Sequence, residues 1–256
     1  MTALYPHIIY GPVRSRRLGI SLGVNLLPLE GKVCSFDCIY CECGWNAERN
    51  DDKCLPSREA VREALSHALA DMAATASLPD VITFAGNGEP TIHPDFEGII
   101  NDTIALRDRF APEAKISVLS NATQLHRADV VRALHRIDNN ILKLDSAFDA
   151  TIKAMNKPCG NYSVEKVIEQ LCDFKGELIV QTMFLRGECD GAHIDNTTEE
   201  EVEAWLKVIK AISPKQVMVY SIARDTPCKS IYAVSKEELR TIASRVEALG
   251  IECSVA

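Results

Sequence analysis

Short apolar runs alternate with amphipathic stretches along nearly the whole chain. Apolar runs rich in β-branched residues predict six strands, over residues 20–27, 81–85, 116–120, 141–145, 178–184 and 217–222. Helical spacing of apolar residues between them predicts helices over 61–72, 164–171, 202–209 and 239–249. Capping-box patterns, Thr198 with Glu201 and Ser235 with Glu238, mark the starts of the last two helices. This alternation predicts a parallel sheet with right-handed crossovers.

The predicted strands share two properties that indicate an architecture. Each is nearly continuous in apolar residues, as expected when both faces of a sheet are covered, and each tends to end in polar residues. In βα barrels the functional site lies at these strand ends. Six units fit the length better than eight, so we predict an open, partial (β/α)6 TIM-like barrel in a single domain over residues 1–256. A closed eightfold barrel and an open doubly wound sheet are the alternatives.

Composition and charge narrow the class of protein. The 256 residues carry ordinary fractions of charged (25%) and apolar (46%) residues, which suit a soluble globule with a sizeable core. We find no apolar run long enough for a signal peptide or a membrane span, which favours a cytoplasmic protein without a membrane partner. Ten cysteines in that setting favour metal binding over disulfides.

The net charge of −8 disfavours a nucleic-acid partner, because such partners usually need a basic face. A nucleic-acid partner nevertheless stays an alternative, because the chain has a local basic cluster: Arg14, Arg16 and Arg17. The cluster has two interpretations, a solvated loop or a clamp for a carboxylate or phosphate.

Cys34, Cys38 and Cys41 lie within eight residues, in CSFDCIYC. Three thiolates at this spacing can bind one face of a [4Fe–4S] cluster and leave the fourth iron without a protein ligand. A closed zinc site would need a fourth ligand, and Cys43 follows too closely to complete one well. The spacing also differs from that of bacterial ferredoxins. The triplet therefore indicates a cluster with an open iron, with a zinc site or buried free thiols as alternatives.

The residues around the triplet extend this interpretation. The C-x-x-x-C-x-x-C run, with Tyr40 directly before its last cysteine, resembles the cluster motif of the radical S-adenosylmethionine (SAM) superfamily. The segments GPVRSRRLGISLGVNLLP, CECGW and FAGNGEP resemble a subgroup related to the wyosine-base synthases. The resemblance extends from Gly11 to about Pro227. It implies the partial barrel, with residues 1–17 as an N-terminal extension and 30–56 as the cluster-binding loop.

The resemblance also implies cofactors and an activity. The open iron of the [4Fe–4S] cluster would bind SAM, and the reduced cluster would cleave it to methionine and a 5′-deoxyadenosyl radical that abstracts hydrogen from a substrate. A flavodoxin or ferredoxin would supply the electron. Tyr40 would pack near the adenine; the alternative is simple loop packing.

A glycine-containing turn follows the second predicted strand, and it resembles the family motif that holds the SAM amino group. Glycines let the backbone approach a ligand closely, and the alternative is a plain turn. Its residues are Gly86, Asn87, Gly88 and Glu89.

Polar residues at later strand ends complete the predicted site. Ser120 and Asn121 would contact the ribose or carboxylate of SAM, as the resemblance implies. Lys143 and Asp145 alternate on one strand and would face the barrel interior, either as contacts to SAM or substrate or as a buried ion pair. Gln181 interrupts an apolar strand, so its amide needs a partner that a ligand would supply.

Three further cysteines, Cys159, Cys189 and Cys228, lie in predicted loops after late strands. They would meet at the barrel mouth and hold a second iron–sulfur cluster or position a catalytic thiol; the alternative is unrelated reduced thiols.

A radical SAM enzyme explains these features best. We expect a peptide, a protein or a small metabolite as its substrate. The alternatives are a tRNA base-modifying radical SAM enzyme and a non-catalytic iron–sulfur or zinc redox protein, which would leave the glycine turn and polar strand ends without a role.

Overall fold

The structure, a computed structural model, describes residues 4–15, 19–46 and 54–256. Arg16, Arg17 and residues 47–53 of the predicted cluster-binding loop lie outside the described residues. The strands, in chain order, are β1 (Ile9–Ser15), β2 (Gly19–Val24), β3 (Val81–Phe84), β4 (Lys115–Ser120), β5 (Asn139–Lys143), β6 (Ile179–Met183), β7 (Leu185–Cys189), β8 (Ala192–Asp195), β9 (Gln216–Tyr220), β10 (Ile231–Ala233) and β11 (Glu252–Val255). The helices are α1 (Arg58–Ala74), α2 (Phe96–Phe110), α3 (Ala128–Leu134), α4 (Asp149–Asn156), α5 (Val164–Cys172), α6 (Glu199–Ile212) and α7 (Lys236–Glu247).

The main sheet has an open, barrel-like topology. Within the described residues its order is β1, β2, β3, β4, β5, β6, β9, β11. All neighbours from β2 to β11 are parallel, whereas β1 pairs antiparallel with β2. The strand order never reverses, which distinguishes the sheet from a doubly wound one. The open parallel arrangement confirms the predicted fold class.

Six strands, β2 to β6 and β9, match the six predicted strands with shifted ends. The structure adds strands that were not predicted: β1 and β11 at the two edges of the main sheet, and a separate three-stranded sheet in the order β10, β7, β8. It also adds α2, α3 and α4 to the predicted helices. The barrel sheet therefore has seven parallel strands among the described residues rather than six.

Among the described residues, two of the three hydrophobic clusters of the core are a large outer one and a small inner one. The larger cluster lies between the sheet and its helices and includes Leu142 of β5, Leu65 of α1 and Trp205 of α6. A small cluster on the inner face contains Ile141, Ile179 and Met218, with Leu119 packed against it. Neighbouring residues such as Ile141 and Leu142 face opposite sides because side chains alternate along a strand. The small inner cluster leaves room for a cavity above it.

One predicted helix cap is confirmed and the other is only half formed. Ser235 and Glu238 make the complete reciprocal capping box at α7. At α6, Thr198 Oγ1 accepts from Glu201 N–H at 3.3 Å, as predicted. The Glu201 carboxylate does not return to the cap, because it accepts from Ser146 Oγ at 2.6 Å and from the Thr151 hydroxyl. The capping-box prediction for Thr198 was therefore wrong in its second hydrogen bond.

Candidate active site

A cavity of about 480 Å³ opens at the carboxyl ends of the parallel strands. Its size falls in the range of small-molecule sites, and its position is that of the functional site in βα barrels. Its wall includes most of the residues predicted for the site: Cys34, Cys38, Cys41, Tyr40, Gly86, Gly88, Glu89, Ser120, Asn121, Lys143 and Gln181. We call it the barrel cavity.

The cysteines are carried by residues 32–46, which we call the cysteine loop. Val33 forms a parallel β-bridge with Gly88, so the loop is attached to the glycine turn. On its other side, Ile39 N–H donates to Met155 O at 2.9 Å, at the end of α4. The loop is thus fixed between two elements that both reach the cavity.

Nitrogen donors contact two of the three predicted ligand thiols, those of Cys34 and Cys38. Asn156 Nδ2 lies 3.4 Å from Cys38 Sγ, and Asn121 Nδ2 lies 3.5 Å from Cys34 Sγ. The backbone N–H of Phe36 also donates to Cys34 Sγ at 3.5 Å. Such hydrogen bonds favour thiolates and are among the contacts that tune iron–sulfur clusters.

The charged state of the thiols depends on burial and on their neighbours. Burial raises the pKa of Cys38 to about 11, although the Lys143 ammonium opposes the shift. Burial also raises the pKa of Cys34. Hydrogen bonding with Cys43 lowers the pKa of Cys41 to about 6. Two of the three thiols thus need a strong electrophile to release their protons, which a metal centre provides.

This donor set fits a [4Fe–4S] cluster. Three cysteines share one wall of the cavity, with amide donors at two sulfurs. Within the described ranges, no three His, Cys, Asp or Glu side chains converge as ligands of a single metal ion would. In a cluster each thiolate binds a different iron, so such convergence is not required of Cys34, Cys38 and Cys41.

Cys43, the fourth cysteine of the loop, also lines the cavity and lies beside the glycine turn. Its thiol lies 3.3 Å from the carbonyl oxygen of Gly86, to which it donates. It therefore connects the cysteine loop to the glycine turn.

The glycine turn is defined by close backbone packing. Gly88 has φ +145°, and a Cβ there would overlap the carbonyl oxygen of Val33. Gly86 has φ +138°, and a Cβ there would lie 2.5 Å from Asn25 Oδ1. Both positions require glycine for backbone conformation and for space.

The two polar side chains of this turn have different roles. Asn87 is fully buried; its Nδ2 donates to Tyr5 O and Pro28 O at 2.9 Å each, and its Oδ1 accepts from Tyr5 N–H at 2.8 Å. These bonds attach the N-terminal segment, so the Asn87 side chain is engaged by protein groups instead of the cavity. Glu89 does line the cavity, where Oε2 accepts from Asn121 N–H at 2.7 Å. Burial raises the pKa of Glu89 against the effect of its hydrogen bonds.

Lys143 and Asp145 form a buried ion pair, with 3.6 Å between Nζ and Oδ2. Lys143 lines the cavity and also donates to Tyr220 Oη at 3.2 Å. The Asp145 carboxylate accepts from Asn156 Nδ2 at 2.7 Å, from Met183 N–H at 2.9 Å and from the Tyr40 hydroxyl. Burial opposes the charge on Lys143, but Asp145, Tyr220 and Cys38 together outweigh it and hold the pKa of Lys143 above its usual range. Asp145 therefore pairs with Lys143 and holds the Tyr40 hydroxyl in place. This arrangement matches the buried ion pair, which was one of the two interpretations of the sequence.

The remaining predicted contacts lie at the strand ends. Ser120 Oγ accepts from Ala122 N–H at 3.1 Å, and Asn121 Nδ2 donates to Ser35 Oγ at 2.9 Å. Gln181 is 6% exposed and faces the cavity, and no described residue hydrogen-bonds its side-chain amide. A buried amide without a protein partner is a candidate contact for a ligand.

The additional cysteines are arranged as a pair and a separate thiol. Cys189, which ends β7 rather than lying in the predicted loop, is hydrogen-bonded with Cys228; burial first, and then this contact, raise the pKa of Cys189 to about 12. Cys159 Sγ lies 3.7 Å from Cys34 O, beside the cysteine loop.

Two residues of the site carried no recognisable sequence signal. Asn156 contacts Cys38, Tyr40 and Asp145, but AMNKPCG looks like an ordinary helix end. Lys32 lies buried within the cysteine loop; burial opposes its charge, but the neighbouring cysteine thiols raise its pKa.

Comparison with known proteins identifies the class to which this site belongs. The family model described as the Radical SAM superfamily matches residues 31–199, which include the cysteine loop and the glycine turn. The chain belongs to the radical SAM superfamily. Members of this superfamily are enzymes, and the family implies a [4Fe–4S] cluster and SAM.

Curated relatives are similar in sequence over most of the chain. A UPF0026 protein of Synechocystis sp. is 30% identical over 234 residues, which are 89% of this chain and 79% of that protein. A Brachyspira hyodysenteriae protein named GTPase Obg is 28% identical over 251 residues. That match covers 96% of this chain, which spans about a third (34%) of that relative's length.

Solved structures share the fold. A radical SAM methyltransferase from Sphaerobacter thermophilus superposes with a TM-score of 0.67 at 13% identity, covering 92% of this chain and 65% of that one. Archaeal TYW1 superposes with a TM-score of 0.54 at 14% identity, covering 89% of this chain and 71% of that one.

No described helix combines the length and apolarity needed to span a membrane.

Proposed function

We propose that the protein binds a [4Fe–4S] cluster through Cys34, Cys38 and Cys41 and uses it to cleave SAM reductively. The observation that carries the proposal is that three thiols, a glycine turn and a row of polar strand ends line one cavity. When bound, the cluster supplies the electron that breaks SAM into methionine and a 5′-deoxyadenosyl radical, which abstracts hydrogen from the substrate.

The chain's own residues bind and orient the small molecule. Backbone carbonyls beside Gly86 and Gly88 and the Glu89 carboxylate offer acceptors for the SAM amino group. Ser120 and Asn121 offer hydroxyl and amide groups to its ribose or carboxylate. The side-chain amide of Gln181, which no described residue hydrogen-bonds, offers a further contact to the ligand. Tyr40, fixed by Asp145, offers an aromatic surface near the adenine.

Replacement of one ligand tests this proposal. We expect Cys41→Ala to lose the visible absorption of the anaerobically reconstituted cluster and all formation of 5′-deoxyadenosine from SAM and dithionite. Cys172→Ala, at the end of α5, is the matched control and should keep both. If Cys41→Ala still produced 5′-deoxyadenosine, the assignment of the cluster ligands would be wrong.

For the substrate we propose a peptide, a protein or a small metabolite, consistent with the net charge of −8. The second candidate is a modified tRNA base, in line with the subgroup resemblance; Arg14 lines the cavity and is exposed, which favours an anionic substrate group there. Release of 5′-deoxyadenosine with bulk tRNA, and with RNase-treated tRNA as the control, separates the two. Release only with intact tRNA would overturn the first choice.

The second cluster and the electron donor remain part of the proposal. Cys159, Cys189 and Cys228 would hold an auxiliary cluster, and a flavodoxin or ferredoxin would reduce the first one. Iron analysis of reconstituted protein tests the auxiliary site: about eight irons per chain support it, and about four contradict it. Comparison of flavodoxin, ferredoxin and dithionite as reductants, with 5′-deoxyadenosine as the readout, tests the donor.

A further inference from the structure

A buried positive charge lies inside the cysteine loop, and the proposed function gives it no role. The Lys32 side chain is 1% exposed and lines the barrel cavity with the three ligand cysteines. Its Nζ donates to Asp37 Oδ1 at 3.1 Å and to Gly44 O at 3.0 Å. Both acceptors belong to the cysteine loop, so the ammonium is held in place by the segment that carries the cysteines.

Burial of a lysine needs a reason, because removing an ammonium from water is costly unless its surroundings compensate. A purely structural ion pair would explain the burial of Lys32 if the Asp37 carboxylate cancelled the ammonium charge on the side that faces the cavity. The Asp37 side chain is 27% exposed, so water screens its field, whereas the Lys32 side chain is almost completely buried. The positive field on the cavity side is therefore only partly cancelled.

The other lysine of the cavity provides a contrast. Lys143 faces an Asp145 side chain that is 0% exposed, so this anion opposes the lysine inside the same low-dielectric region. Both lysines line the same cavity, but the carboxylate paired with Lys32 is partly exposed, whereas the one paired with Lys143 is buried. Lys32 is thus the lysine whose charge is less completely balanced beside the thiols.

We propose that Lys32 raises the reduction potential of the cluster held by Cys34, Cys38 and Cys41. This inference rests on the proposed function. Reduction adds an electron to a centre already surrounded by thiolates, and a fixed positive charge nearby stabilises the more negative, reduced form. Net charge, hydrogen bonds and solvent exposure are the terms by which proteins set such potentials. Lys32 is therefore a positioning and tuning residue rather than a catalytic one.

A redox titration followed by electron paramagnetic resonance tests this on the reconstituted full chain. We expect Lys32→Met to shift the midpoint potential to more negative values, Lys32→Arg to keep it close to wild type, and Asp37→Asn to shift it to more positive values. Lys207→Met removes the same charge from an exposed position on α6 and should leave the potential unchanged.

The opposite signs separate the electrostatic role from a structural one. Lys32→Met and Asp37→Asn break the same ion pair, so loosening of the loop would move both potentials in the same direction. Equal potentials in wild type and Lys32→Met, or shifts of the same sign in both variants, would overturn the inference alone. If Lys32→Met fails to assemble a cluster, the sign of the Asp37→Asn shift decides: a positive shift supports the inference, and any other result overturns it. A wild-type chain that binds no cluster would overturn the proposed function and this inference together.

Discussion

Two walls of the barrel cavity are built by different means. In the wall formed by the cysteine loop and the glycine turn, backbone meets backbone: Val33 pairs with Gly88, and the side chain of Asn87 attaches the N-terminal segment from behind. In the wall at the ends of β5, β6 and β9, side chains meet side chains, with Lys143 and Asp145 at the centre.

The two walls are therefore sensitive to different substitutions. Close backbone packing has no tolerance for added atoms, so the first wall depends on the absence of side chains at Gly86 and Gly88. A buried charged network depends on complete pairing, so the second wall is sensitive to the loss of one partner and more tolerant of the loss of both.

The largest effect is expected at Gly88. Replacement with alanine places a Cβ on the carbonyl oxygen of Val33 at φ +145°, which should destabilise the protein by about 5 kcal/mol or more. Urea denaturation measures the loss. Gly160→Ala is the matched control, because its Cβ would meet no atom within 4 Å, and it should stay within about 0.5 kcal/mol of wild type. Equal losses at both glycines would refute the backbone description of the first wall.

Asp145→Ala is expected to follow, with a loss of about 4 kcal/mol in the free energy of unfolding. It leaves the buried Lys143 ammonium without its anion and removes the acceptor of Asn156 and Met183. The double variant Lys143→Met/Asp145→Ala should recover part of this loss, because it leaves no buried unpaired ammonium. A double variant as unstable as the sum of the single variants would show that the two charges act independently.

Asn87 and Gln181 should show opposite profiles. Asn87→Ala removes three hydrogen bonds made by a buried side chain and should cost about 2 kcal/mol of stability, with little change in SAM affinity. Gln181→Leu removes an amide with no described protein partner and should stay within about 1 kcal/mol of wild type while SAM affinity falls. Thermal unfolding and calorimetric titration with SAM provide the two readouts. The reverse pattern would place Asn87, not Gln181, at the ligand.

The smallest effect concerns pH. The pKa of Lys143 is raised in the folded state above its ordinary value of 10.5, so its contribution to stability is complete below about pH 10.5 and is lost as the pH rises through the folded value. The stability difference between wild type and Lys143→Met should therefore be constant near neutral pH and change only in strongly alkaline solution. A change between about pH 6 and about pH 9 would contradict the pairing of Lys143 with Asp145.

The two walls also differ in how far the sequence predicts them. Cysteine spacing and the glycine turn are local patterns, and the structure brings Cys34, Gly86 and Gly88 to one cavity as expected. Asn156 could not be predicted, because its contact with Cys38 joins residues 118 positions apart. The orientation of Asn87 was equally hidden, since its partners Tyr5 and Pro28 lie in distant segments.

Prediction of the strands and helices from the sequence also depends on how strong the local pattern is. Strands buried along their whole length, such as β3 and β6, are mostly apolar, and the sequence pattern predicts them. The edge strand β11 and the separate sheet of β7, β8 and β10 are short and partly exposed, with charged residues such as Arg186 and Glu188 in β7, so they lack that signal. Helices α3 and α4 span fewer than three turns, which leaves little periodicity to detect.

We propose that the cysteine loop holds a cluster whose open iron faces a SAM site. Electron paramagnetic resonance of the reduced, reconstituted protein, recorded with and without SAM, is the decisive test. We predict a [4Fe–4S]⁺ signal that shifts when SAM is added and is absent in Cys41→Ala. A cluster signal that SAM leaves unchanged, or one that persists in Cys41→Ala, would contradict the claim.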